Sequence, residues 1–166
     1  DKDKKGVVPP AELVDLKPTL AVQKLWDTGV GGGGEKLRLA LGLALDRGVL
    51  FTAARDGEVV ALDPATGRVK WSQDTKADLA AGPGVGASVV AVGTSDGKVI
   101  ALDVASGKVL WKVSVSSEVL AAPLVTGDRV IVRSVDGRVH ALDALTGKSQ
   151  WTGEEPVPKL SLRGTA

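Results

Sequence analysis

The side chains that could carry chemistry in this 166-residue chain are few, and several recur at a fixed spacing. Asp63, Asp103 and Asp143 stand 40 residues apart, and three carboxylates are ligands that a divalent cation could use. Each aspartate belongs to a different copy of a repeat, so the copies separate them in space. We therefore expect these aspartates to form turns, and we expect no metal site.

Nucleophilic and redox chemistry has little support in the sequence. The chain has no cysteine, which excludes a disulfide framework, a thiolate zinc site and a cysteine nucleophile. His140, the only histidine, occupies the repeat position that Val60 and Ile100 fill in the other copies. A buried structural histidine with satisfied hydrogen bonds is expected there. We predict no catalytic residue and no cofactor.

Charge and loop composition argue against a polyanionic partner. The net charge is +1, with basic and acidic residues intermixed, so there is no electrostatic footprint for nucleic acid. The glycines at positions 31–34 do not lie between a strand and a helix, which removes the context that a phosphate-binding loop needs. A nucleic-acid partner is not expected.

The element that positions these residues is a repeat of 40 residues that occurs three times, over residues 56–71, 96–111 and 136–151. In the middle copy, strands are predicted over residues 79–85, 89–94, 98–103 and 108–115. Asp96-Gly97 predicts a tight hairpin turn. A second turn ends in a glycine in every copy: Gly67, Gly107 and Gly147. Four short antiparallel strands per repeat are typical of a propeller blade.

A tryptophan ends each copy of the repeat: Trp71, Trp111 and Trp151. Each side chain offers about 200 Å² of apolar surface and an indole N–H. A single small sheet cannot bury both of its faces, so blades must stack on one another. We predict that each tryptophan fills the gap between two blades and that its N–H reaches a carbonyl of the adjoining blade. Trp26 ends a similar strand that no repeat copy precedes.

The predicted fold is an all-β propeller with four-stranded antiparallel blades, about three of them complete. Residues 1–18 are expected to form a flexible leader and residues 19–30 the closing strand of the last blade. Residues 35–75, 76–115 and 116–155 form blades one to three, and residues 156–166 begin a fourth. Because a closed ring usually has roughly 4 to 8 blades, we expect a fragment, or a half that assembles with another chain.

The pattern Ala-Leu-Asp, Thr/Ser-Gly-Lys/Arg and Trp resembles the repeat of pyrroloquinoline-quinone-type propellers. That superfamily contains quinone-dependent dehydrogenases and several non-enzymatic scaffolds. Within it, the chain resembles the propeller lipoproteins of the bacterial outer-membrane β-barrel assembly machinery, most sharply over residues 12–18, 24–26 and 160–164. The resemblance implies an eight-bladed ring, of which this is the N-terminal part. It also implies a protein at the periplasmic face of the outer membrane, anchored by a lipidated N-terminal cysteine absent from this chain.

For function, the resemblance implies a non-enzymatic scaffold that binds the periplasmic POTRA region of BamA and assists insertion of outer-membrane proteins. Unfolded outer-membrane proteins are implied as further partners. In that family a Leu-x-Leu-Arg loop contacts BamA, and the matching residues here are Leu160, Leu162 and Arg163. Taken without the resemblance, the same leucines fit the core of the next blade.

The alternative function is a quinone-binding or ligand-sensing propeller. The superfamily's dehydrogenases hold the quinone over a tryptophan, beside a calcium ion bound by Glu, Asn and Asp. This chain contains no asparagine, and its repeat tryptophans are explained by blade stacking.

Overall fold

The computed structural model describes residues 39–86 and 88–154, and every regular element within these ranges is a β-strand. The first sheet contains β1 (Ala40–Asp46), β2 (Val49–Ala54), β3 (Glu58–Leu62) and β4 (Val69–Asp74). The middle sheet contains β5 (Leu79–Val85), β6 (Val89–Thr94), β7 (Lys98–Asp103) and β8 (Val109–Ser114). The third contains β9 (Leu124–Thr126), β10 (Arg129–Arg133), β11 (Arg138–Asp143) and β12 (Ser149–Glu154).

Several predictions fall outside the described residues. These are the leader, the closing strand with Trp26, and the fourth-blade start with Leu160, Leu162 and Arg163. Within the described ranges, no helix has the length and apolar character needed to cross a membrane.

Each sheet has four antiparallel strands that pair in chain order, and we call the three sheets the first, middle and third blades. This confirms the predicted all-β fold of four-stranded antiparallel blades. In the middle blade the first three strands have the predicted bounds, and the fourth is one residue shorter at each end. The repeat therefore predicts both the architecture and the strand positions.

Each Asp-Gly pair lies in a hairpin loop between the second and third strands of its blade, and this loop has three residues in the first and middle blades and four in the third. In the first blade the Gly57 amide donates to the Ala54 carbonyl at 3.0 Å, and Gly57 has a φ of 102°. The Asp56 carboxylate accepts the Glu58 amide at 3.2 Å. Glycine adopts this left-handed conformation without a steric penalty, which explains why the sequence places it after the aspartate.

The repeated aspartates organise the turn between the third and fourth strands. The Asp103 amide donates to the Lys108 carbonyl at 2.7 Å, and the Gly107 amide donates to the Asp103 carbonyl at 2.8 Å. The Asp103 carboxylate accepts the Ser106 hydroxyl and amide at 2.7 and 2.8 Å. These hydrogen bonds lower the pKa of Asp103. The carboxylate of Asp103 therefore accepts hydrogen bonds from its own turn.

The core consists of two apolar clusters, one on each face of the middle blade. Successive side chains of a strand point to opposite faces of the sheet. Alternate residues therefore pack against the first blade: Val90, Val92, Ile100 and Leu102. The residues between them pack against the third blade: Val89, Ala91, Val99 and Ala101. All of β6 is buried as a result.

A β-bulge precedes the tryptophan in every blade. In the first blade Ala61 pairs with Trp71, but Leu62 pairs with Val69, so Lys70 is an extra residue in β4. The same shift recurs in the middle and third blades. A bulge bends the strand and increases its twist, and directly paired residues lie on the same face. Trp71 therefore lies on the face of Ala61, toward the middle blade.

Candidate functional site

Two tryptophans join neighbouring blades through the same set of contacts. The Trp71 indole N–H donates to the Val104 carbonyl at 3.1 Å, and the Trp111 indole N–H donates to the Ala144 carbonyl at 2.8 Å. Both acceptors lie in the turn between the third and fourth strands of the next blade. We call this arrangement of tryptophan, carbonyl and turn glycine a tryptophan lock.

The turn glycine completes each lock because it has no side chain. A Cβ atom added to Gly107 would lie 2.4 Å from Cε3 of Trp71, and one added to Gly147 would lie 2.7 Å from Cδ2 of Trp111. The φ angles of these glycines are 76° and 71°, a conformation that disfavours other residues. The glycine thus serves the turn and the packing of the indole together.

The tryptophans differ in their surroundings. Trp111 is 8% exposed and Trp151 is 44% exposed. Trp71 is partly buried, and its ring lies 6.0 Å from the Phe51 ring with a tilt of 54°. Both blade-joining contacts predicted for Trp71 and Trp111 are present, whereas Trp151 lies on the outer side of the last described blade.

His140 lies in a hydrogen-bonded cluster with two serines. Its Nε2 is 3.1 Å from the Ser116 hydroxyl and 3.2 Å from the Ser134 hydroxyl. The Ser134 hydroxyl donates to the Asp136 carboxylate. In a Ser-His-Asp catalytic triad the imidazole lies between the serine and the carboxylate, but here a serine occupies that middle position. The geometry is therefore that of a buried structural cluster, as the sequence predicts for His140.

The two titratable groups of this cluster, Asp136 and His140, both have a lowered pKa. Hydroxyl groups of Ser116 and Ser134 hold the pKa of Asp136 well below its usual value. Burial lowers the pKa of His140, and the nearby Asp136 charge opposes that effect only in part. The cluster therefore favours a neutral imidazole beside an ionised carboxylate at neutral pH.

A polar cleft of about 260 Å³ lies beside the middle blade and is lined by several lysines and aspartates. Its lysines have partners nearby. Lys98 pairs with Asp96 at 2.8 Å, and the Lys112 ammonium donates to the Thr75 carbonyl at 2.9 Å. Within residues 39–86 and 88–154, no group of three or more His, Asp or Glu side chains could hold a metal ion.

Large apolar side chains stay exposed on the two outer blades. On β1, Leu41, Leu43 and Leu45 are 38%, 57% and 68% exposed. On the third blade, Leu124 and Leu145 are exposed as well. Exposed apolar patches commonly mark interaction surfaces. The alternating leucines of residues 39–45 are a sequence signal of this surface that the repeat pattern alone did not reveal.

Comparisons with known sequences agree with this architecture. The chain matches the family profile described as outer membrane protein assembly factor BamB over residues 21–81 and 55–166. BamB of Pseudomonas aeruginosa is 42% identical over 70 residues, which are 42% of this chain and 18% of that protein. BamB of Xanthomonas campestris is 42% identical over 69 residues, which are 42% of this chain and 17% of that protein.

Among solved structures, BamB from Moraxella catarrhalis is similar with a TM-score of 0.64 and 32% identity, over 69% of this chain and 35% of that one. A europium-containing methanol dehydrogenase has a TM-score of 0.60 and 27% identity, over 70% of this chain and 25% of that one. The computationally designed protein Ika8 has a TM-score of 0.59 and 23% identity, over 67% and 35% of the two chains.

The TM-score with the dehydrogenase, 0.60, is nearly the same as that with the designed protein, 0.59, so the likeness to the dehydrogenase reflects the shared propeller fold. This chain spans about a third of the Moraxella structure. Its matches cover less than a fifth of the Pseudomonas and Xanthomonas relatives. The profile match, by contrast, extends over all three blades. The chain belongs to the outer membrane protein assembly factor BamB family.

Proposed function

We propose that this protein is a non-enzymatic scaffold of outer-membrane β-barrel assembly that works at the periplasmic face of the outer membrane. The observation that carries the proposal is the family profile match over residues 21–81 and 55–166. The curated relatives share the name outer membrane protein assembly factor. In this proposal a lipidated N-terminal cysteine, absent from this sequence, anchors the protein, and unfolded outer-membrane proteins are its substrates.

The stacked blades suit a scaffold because they form a firm support for surface loops. The middle blade is buried on both faces, and two tryptophan locks join it to its neighbours. The last described strand pairs with β11 as far as Glu154, opposite Arg138. The side chains of these two residues approach to 3.7 Å. The chain that follows β12 thus starts from an anchored position.

We propose that Leu160, Leu162 and Arg163 contact the periplasmic POTRA region of BamA. Leucine side chains can fill apolar pockets at such a contact, and an arginine can pair bidentately with a carboxylate. Leu160 follows Glu154 by six residues, and six residues span at most about 21 Å. In this proposal the contact surface borders the third blade.

The test is to measure binding of the purified chain to the isolated POTRA region of BamA by calorimetry. Leu162→Ala and Arg163→Ala should each weaken binding by about 30-fold, the loss expected for a residue at the centre of an interface. Leu145→Ala and Arg129→Ala are the matched controls, because both residues are exposed on the third blade. Controls should bind like the unchanged chain. Unaltered affinity of both loop variants would contradict the loop assignment, and no binding by the unchanged chain would contradict the partner.

The quinone-binding alternative is tested separately by an absorbance spectrum of the purified protein, because a bound quinone is a chromophore. A quinone band would favour the alternative over the scaffold. Binding of the POTRA region without such a band would favour the scaffold.

A further inference from the structure

The third blade carries exposed apolar side chains at two positions where the other blades do not. Val135, in the hairpin between β10 and β11, is 57% exposed, and the matching residues are Arg55 and Ser95. Leu120, in the segment that leads from β8 to β9, is 55% exposed, and its counterpart in the middle blade is Ala80. The repeat therefore does not require a large apolar residue at either position.

Backbone hydrogen bonds hold the segments of Leu120 and Val135 together. The Leu120 amide donates to the Arg133 carbonyl at 2.9 Å, and the Val135 amide donates to the Glu118 carbonyl at 2.9 Å. The residue that precedes each of them is buried, and these two preceding residues pair in an antiparallel bridge. Successive side chains of an extended segment point to opposite sides, so Leu120 and Val135 share the outward side. We call them the apolar pair.

The middle blade shows that these positions stay open beside a covering blade. The third blade covers Gly93, where an added Cβ atom would lie 2.4 Å from a side-chain carbon of Val119. Ser95 nevertheless remains exposed, and Ala80 remains half-buried. The exposure of Val135 is thus expected whether or not another blade lies against the third. An exposed apolar patch of this kind commonly marks an interaction surface.

The apolar pair lies at the end of the third blade where the chain leaves β12. Glu154, the last residue of β12, pairs with Arg138. The Arg138 amide donates to the Asp136 carboxylate at 3.2 Å, and Asp136 follows Val135 in the same hairpin. The polypeptide that leads to the proposed contact loop therefore starts beside this hairpin.

We propose that Leu120 and Val135 form an additional contact surface for the partner of the loop at residues 160–163, the periplasmic POTRA region of BamA. The inference rests on the proposed function, because it takes its partner from there. The apolar pair supplies a centre that excludes water, and the charged side chains of Glu118 and Arg133 border it on the outward side. An apolar centre with a polar border is the usual arrangement of a protein–protein interface.

Exchanges between repeats test the inference, with binding of the purified chain to the isolated POTRA region measured by calorimetry. Val135→Ser and Leu120→Ala give the third blade the residues of the middle blade. Each should weaken binding about fivefold, and the double variant should weaken it by more than about tenfold. Leu145→Ala is the matched control, because Leu145 is 67% exposed at the opposite end of the same strands. It should bind like the unchanged chain.

NMR measures the contact without any variant. Methyl signals of Leu120 and Val135 should shift when the POTRA region is added, whereas those of Leu145 should not. Urea unfolding of the variants should match that of the unchanged chain, because exposed side chains contribute little to stability. A loss of binding is then a loss of contact rather than of folding.

Three results separate this inference from the proposed function. Full affinity of the double variant, together with weakened binding by Leu162→Ala, would overturn the role of the apolar pair and leave the loop contact standing. Weakened binding by the double variant, together with full affinity of Leu162→Ala, would support the apolar pair and contradict the loop assignment. An unchanged chain that does not bind the POTRA region would overturn both, since the partner itself would be wrong.

Discussion

The middle and third blades carry the same repeat, but their residues differ strongly in solvent exposure. All six residues of β6 are buried, whereas the matching β10 is exposed at both ends. Trp111 is 8% exposed and Trp151 is 44% exposed. Their turns and strand pairing are nearly the same, so the difference comes from the presence of a covering blade. In this molecule the neighbour, more than the local sequence, decides which repeat positions form core.

The sharpest test of this comparison is to remove each tryptophan in turn. Trp111→Ala should lower the free energy of unfolding by about 3–5 kcal/mol, because it leaves a cavity in the core. Trp151→Ala should cost only about 1 kcal/mol or less, because surface substitutions have small effects. Urea unfolding of both variants measures the difference. Equal losses would show that the two positions are equally covered in solution.

A somewhat smaller effect is expected from the turn glycines. Gly147→Ala should destabilise the chain by about 2–4 kcal/mol, because the methyl group crowds the Trp111 indole and the left-handed φ adds strain. Gly137→Ala is the matched control on the same blade, with a φ of 82° and no atom within 4 Å of an added Cβ. It should cost about 1 kcal/mol. Urea midpoints that do not separate the two variants would argue against the lock.

The position held by Ile100 in the middle blade and His140 in the third predicts a pH dependence of stability. Burial lowers the pKa of His140, so the unfolded chain binds a proton more readily than the folded one. Stability should therefore decrease as the pH falls through the range below about 6.5, the ordinary histidine pKa. His140→Ile should remove this part of the dependence. Urea unfolding on both sides of that range checks it, and an unchanged slope in the variant would assign the dependence to other groups.

The smallest expected effect is a change in the pKa of Asp96 or Asp136, which occupy the same turn position in the middle and third blades. Serine hydroxyls are the leading cause of the lowered pKa of Asp136, whereas the Lys98 ammonium is the leading cause for Asp96. Ser134→Ala should raise the pKa of Asp136, and Thr94→Val should raise that of Asp96 by less. Carboxylate carbon NMR titrations measure both. A larger pKa change at Asp96 than at Asp136 would contradict this assignment of causes.

Much of the fold could be predicted because the repeat encodes it locally. A hairpin such as Asp96-Gly97 needs only a few neighbouring residues, and strand periodicity is visible within one copy. The aspartate turns are equally local. These features depend on hydrogen bonds between residues that are close in sequence, so composition and order are sufficient to predict them.

The contacts between blades were predictable only in outline. The sequence indicated that an indole would reach a carbonyl of the adjoining blade, but the choice of Val104 and Ala144 depends on the bulge before each tryptophan. The serine partners of His140 were not predictable either, because Ser116 lies in the connection from β8 to the third blade. Such partners depend on how one sheet lies on the next.

Both tryptophan locks join residues 33 positions apart, so the first and middle blades are each secured by a contact with the blade that follows in the chain. Stability in such an array is a sum of units and nearest-neighbour interfaces, and short contact separations favour rapid folding. A blade could therefore form soon after synthesis yet gain full stability only once the next repeat has emerged. The order of the repeats along the polypeptide would then set the order in which the stack becomes resistant to proteolysis.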